Sequence, residues 1–74
     1  MSYGIILFHS KTVVMAAEKL LTSEGYSISL MPTPRQITSD CALGLRFSWS
    51  QNDAIKAILA KANIEIQGTQ QLPG

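Results

Sequence analysis

Cysteine and histidine each occur once in this chain, at Cys41 and His9. A single cysteine rules out an internal disulfide framework. One cysteine and one histidine leave a single chain short of the ligands that a protein-only zinc site needs. No metal is expected, and no bound organic cofactor. Charge is sparse too: six Lys and Arg face five Asp and Glu, for a net charge of +1, and the basic residues are scattered. That balance argues against an electrostatic grip on nucleic acid or an anionic membrane, so neither is an expected partner. Long apolar runs are missing. Tyr3–Phe8 (YGIILF) is too short for a secretory h-region and no cleavage signal follows it. No run is long enough to span a bilayer. A soluble, cytoplasmic protein is the expectation. At 74 residues the chain makes one domain. A domain of this size buries only about 60% of its unfolded surface. A pocket enclosed on all sides is not expected; a shallow site, or one completed by a partner, is.

What is present alternates between two periodicities. Tyr3–Phe8 is apolar on both faces and reads as a central strand. Ser10 suits a helix N-cap. Val13, Ala17, Leu20 and Leu21 then recur at helical spacing, and Gly25 fits the position just past the helix end. YSISLM alternates, with Ile28 and Leu30 on one face. CALGLRF alternates again, with Leu43, Leu45 and Phe47 on one face and Gly44 and Arg46 on the other. A second helix begins near Ser48, where Ser48 and Gln51 have capping-box spacing. Its buried stripe is Ile55, Ile58, Leu59 and Ala62. IEIQG reads as a last strand with Ile64 and Ile66 inward. The expected organisation is a single domain over residues 1–68 and a polar tail over residues 69–74.

Strand, helix, strand, strand, helix, strand is the pattern of the split βαβ, or ferredoxin-like, fold. This α+β arrangement places both helices on one face of a four-stranded antiparallel sheet. The third strand fills the gap between the first and second, because the crossover is right-handed. On the first strand Gly4, Ile6 and Phe8 lie opposite Tyr3, Ile5 and Leu7, and in a two-layer fold one of those faces is open. An exposed apolar strip there would favour a homodimer.

The long segment between the second and third strands, PTPRQITSDC, exceeds the usual hairpin loop of about 2–5 residues. The topology returns this loop to the end of the sheet where the first strand finishes and the first helix begins. Cys41 is thereby expected near His9 and Ser10. Pro32 and Pro34 stiffen the loop by fixing φ and extending the residue before each. The stiffened arm can hold Arg35 over the thiol. Free helix N-terminal amides, Lys11 and Arg35 all favour thiolate over thiol. His9 could take the thiol proton or donate to its anion, whereas Asp40 opposes the charge.

Plainer readings stand beside these. A lone intracellular cysteine is often a small buried hydrophobe, and Cys41 shares strand parity with Leu43 and Leu45. Arg35 could simply pair with Asp40 on the surface, worth about 0–1 kcal/mol. Thr38 and Ser39 could be turn residues and no more. Phe47 and Trp49 raise RNA binding, but Phe47 has core parity and LGLRFSW lacks the basic glycine-aromatic signature.

At FHS (Phe8–Ser10) followed by PTPRQITSDCALGLRF (Pro32–Phe47), the chain resembles the selenium/sulfur carrier-like proteins of bacteria and archaea. Almost the whole chain is covered, including AEKLL (Ala17–Leu21). The specific part is Pro34, Arg35, Ile37, Ser39 and Cys41. Thr38 stands where serine is common, and Ala42 departs from a usual glycine. The resemblance implies a carrier rather than a stand-alone enzyme. Cys41 would bear sulfur or selenium as a persulfide or selenosulfide, and Arg35, His9, Ser10 and Ser39 would stabilise the anion. Donor and acceptor proteins would be the partners. The alternative is a non-catalytic module that binds a small anion or a protein at the loop and helix N-terminus.

Overall fold

The computed structural model describes residues 2–37 and 41–72. Its elements are β1 (Tyr3–Leu7), α1 (Lys11–Ser23), β2 (Ser29–Pro32), β3 (Leu43–Ser48), a single 3-10 turn (Trp49–Gln51), α2 (Asn52–Lys61) and β4 (Gly68–Gln71). The sheet order is β2-β3-β1-β4, with every neighbouring pair antiparallel. This is an α+β fold in the expected βαββαβ order, with β3 in the gap between β1 and β2.

The core lies between the sheet and the two helices. Ile6 and Phe8 from β1 and its exit, and Leu45 and Phe47 from β3, pack with Val14, Ala17 and Leu21 of α1 and Ile55 and Leu59 of α2. Fully burying side chains of this size is worth about 1.5–3 kcal/mol each. On α1 the centre of the stripe is Val14, with Val13 and Leu20 only partly buried.

Both helices end in the same way. Beyond α1, Tyr26 N–H donates to the Leu21 carbonyl and Gly25 N–H to the Thr22 carbonyl; beyond α2, Ile64 N–H donates to Leu59 and Asn63 N–H to Ala60. These are Schellman closures, which need a left-handed residue at the reversal. Gly25 has φ +89° and Asn63 φ +59°. Gly and Asn are the residues that reach this region most readily.

Several expectations need correction. Ser48 and Gln51 do not form a capping box: Ser48 makes no side-chain cap bond, and its Oγ lies 3.2 Å from Ser50 Oγ. Ser10 has extended N-cap backbone but likewise no side-chain cap bond. The last strand is Gly68–Gln71, not the Ile64–Gly68 segment, and it takes in residues assigned to the tail. Ile64 and Ile66 instead pack half-buried against the core. The chain leaving α2 must cross from the helix layer to the sheet, roughly 10 Å, which takes about three extended residues. The face of β1 away from the helices is also largely covered: Ile5 is fully buried and Leu7 is 8% exposed, with Tyr3 alone of the three exposed, at 39%. Ile5 lies across Gly44, where an added Cβ would come within 2.7 Å of it. On the same face the Arg46 guanidinium stands 4.5 Å from the Tyr3 ring centroid.

Candidate functional site

The loop between β2 and β3 continues their ladder before it turns away. Thr33 N–H donates to the Ala42 carbonyl at 2.7 Å, and Thr33 Oγ1 donates to the Cys41 carbonyl at 3.2 Å. Thr33 was not singled out in the sequence. Its one visible signal is a β-branched hydroxyl between two prolines. Pro32 ends β2, and Pro34 opens a tight turn closed by Ile37 N–H donating to the Pro34 carbonyl at 3.0 Å. Arg35 and Gln36 occupy the two corners of that turn, and both are exposed. Pro32, which has no N–H to give, ends the strand, and Pro34 stands at the first position of the turn.

Cys41 lies two residues before β3 rather than opening it. Two registers locate it. The β2–β3 pairing Pro32↔Leu43 and the Thr33–Ala42 bond set Cys41 against Pro34 when continued one step. The β1–β3 pairing ends at Leu7↔Gly44, three residues short of both Cys41 and Ser10, the N-cap of α1. The thiol-bearing residue thus lies beside the proline arm, at the end of the sheet where β1 closes and the first helix starts.

Exposure divides the candidate residues. Cys41 is 8% exposed and belongs to the core cluster with Phe8 and Val14. His9, Ser10, Lys11 and Arg35 are exposed. The first turn of α1 contains no acidic residue, and Ser10 leaves its amides uncapped by side chain. Those amides carry partial positive charge. Ser39, Thr38 and Asp40 lie outside the described residues. Phe47 is buried in the core and Trp49 packs beside it, ring centroids 5.8 Å apart.

A shallow groove runs along the other side of the arm. Pro34, Gln36 and Ile37 form one wall, Gln70 and Leu72 the other, and Leu7 lies between them. Among the described residues there is no group of three or more His, Cys, Asp and Glu arranged to hold a metal. No helix of the described residues is long and apolar enough to cross a membrane.

A family model described as "Putative Se/S carrier protein-like" matches residues 3–71. No curated protein and no solved structure matches the chain.

Proposed function

From the premise that this chain belongs to the Se/S carrier protein-like family, we propose that it carries sulfur or selenium on Cys41. The observation that carries the reading is that the family match spans residues 3–71 of a chain with one thiol. A carrier of this kind needs a soft nucleophilic atom, and Cys41 is the only thiol the chain offers. Its place at the end of the sheet where β1 closes and α1 begins supports the assignment.

Loading is written as sulfane transfer. The Cys41 thiolate attacks the outer sulfur of a donor persulfide, R–S–SH. A new S–S bond forms at Cys41, and the donor's S–S bond breaks. The electron pair leaves with the donor thiolate, and no external oxidant or reductant enters. Delivery is the same exchange run towards an acceptor thiol. Selenium follows the same course with a Se atom in the outer position. Such exchange depends on thiolate fraction, nucleophilicity and access. Exposed Arg35 and the α1 amides would stabilise the anionic S–S⁻ or S–Se⁻ product, with His9 and Ser39 as further donors. Donor and acceptor are proteins able to present a persulfide or a thiol to this rim.

With Cys41 8% exposed, an incoming sulfur reaches it only when its surroundings open, and we assign that opening to the segment that Thr33 ties to the Cys41 and Ala42 carbonyls. The two Thr33 bonds are the contacts to be released. Mass spectrometry after incubation with a small-molecule persulfide tests the reading: Cys41 should gain the mass of one sulfur and Cys41→Ser none.

The burial of Cys41 favours one other reading, a module without thiol chemistry that binds a small anion or a protein at the α1 N-terminus and Arg35. Cys41→Ser separates the two. It abolishes carriage and leaves such binding unchanged.

A further inference from the structure

The two edges of the sheet are built differently. On β2 the Thr33–Ala42 bond fixes which groups face β3, so Leu30 and Pro32 face outward. Pro32 has no N–H to offer, which blunts that edge. On β4 the Leu72 N–H donates to the Tyr3 carbonyl at 2.8 Å, and Ile5 pairs with Gln70. The N–H and C=O groups of Thr69 and Gln71 therefore face outward. Gln67–Leu72 contains no charge and no proline. Among the described residues no strand covers this edge.

We propose that β4 is a docking edge for a second copy of this chain, paired antiparallel about Gln70. With Gln70 on the two-fold axis, Thr69 of each copy faces Gln71 of the other. Their outward groups then close four backbone hydrogen bonds. Gln70 faces its own equivalent at a Cβ separation of about 4.5–5.5 Å. A primary amide both donates and accepts, so glutamine is complementary to itself, and no like charges meet.

The groove supplies the apolar part. In this register Leu72 of one copy falls opposite Gly68 of the other. An added Cβ at Gly68 meets nothing within 4 Å. Gly68 in turn pairs with Leu7, which lines the groove. Leu72 of the second copy therefore approaches Leu7 across a row with no side chain between them. The inference is independent of the carrier reading, because it uses neither Cys41 nor Arg35. It also replaces the β1 face, where Ile5 and Leu7 are buried and only Tyr3 is exposed, as the basis for self-association.

Sedimentation equilibrium on the full chain tests it. The wild type is expected to form a dimer. Gln70→Lys, which places two ammonium groups across the axis, and Thr69→Pro, which removes an outward N–H, should each raise its dissociation constant at least about tenfold. Ser27→Lys, a charge added at an exposed site away from β4, should leave it unchanged. Far-UV circular dichroism checks the fold of each variant, and Gln70→Lys decides the matter where Thr69→Pro is unfolded. Two results overturn the proposal. One is a wild type that stays monomeric up to about 1 mM, a dimer weaker than about −4 kcal/mol. The other is a dimer that Gln70→Lys weakens no more than Ser27→Lys does, which would assign association to a different surface.

Discussion

The Thr33 hydroxyl donates to the Cys41 carbonyl at 3.2 Å, and the Thr33 N–H to the neighbouring Ala42 carbonyl at 2.7 Å. One side chain thereby ties the proline arm to the residue that carries the thiol. Thr33→Val keeps the shape and removes the side-chain bond. A typical net hydrogen bond is worth about 0.5–1.5 kcal/mol. Urea unfolding should show a loss of that size. Labelling of Cys41 by a thiol reagent in native buffer should speed up several-fold, because the arm opens more often. An unchanged labelling rate would mean that Thr33 does not govern access.

Arg35 stands exposed at a turn corner. Arg35→Ala should leave the unfolding midpoint within about 0.5 kcal/mol of wild type, as surface substitutions usually do. It should also lower the yield of Cys41 persulfide severalfold, since a cation that stabilises the anionic product has been removed. Intact-mass spectrometry after a fixed exposure to donor reads this. Equal yields in the two proteins would remove Arg35 from the site.

Gly44 sits under Ile5, and a Cβ there would lie 2.7 Å from Ile5 Cδ1 and 2.8 Å from the Ile6 carbonyl oxygen. The backbone atom cannot move aside cheaply. Gly44→Ala should therefore destabilise by about 1–3 kcal/mol, the usual cost of overpacking. Gly25→Ala meets no neighbour but must hold φ at +89°. A left-handed backbone costs a non-glycine residue about 1–2 kcal/mol. Chemical denaturation of both variants would show whether strain without collision matches collision in cost.

How much of this was legible in the sequence depended on where side-chain periodicity had one cause. The strand and helix order followed from alternation in Leu43–Phe47 and helical spacing in α1 and α2. In both, a single buried face imposes the pattern. Ile64 and Ile66 misled because they alternate like a strand yet pack against the core as the chain descends from α2. The true β4, Gly68–Gln71, is an edge strand with polar side chains, so it has little pattern to show. The apparent open strip on β1 failed for a related reason. Alternation gives the face of Ile5 but not that Gly44 lets Ile5 lie flat on β3. At the site, topology placed Cys41 at the end of the sheet where β1 closes and α1 begins. Parity with Leu43 and Leu45 already pointed Cys41 towards the core, where it is 8% exposed, but nothing in the pattern revealed Thr33. Ser39 lies outside the described residues, so its role rests on the family resemblance alone.

The central claim is that Cys41 accepts a sulfane sulfur. The most direct measurement is intact-mass and peptide-level mass spectrometry of the full chain after exposure to a persulfide donor, with Thr33→Val and Cys41→Ser alongside. The account predicts one added sulfur on the Cys41 peptide, faster in Thr33→Val and absent in Cys41→Ser. An unmodified Cys41 in both the wild type and the loosened variant, under conditions that load a free thiol peptide, would contradict it.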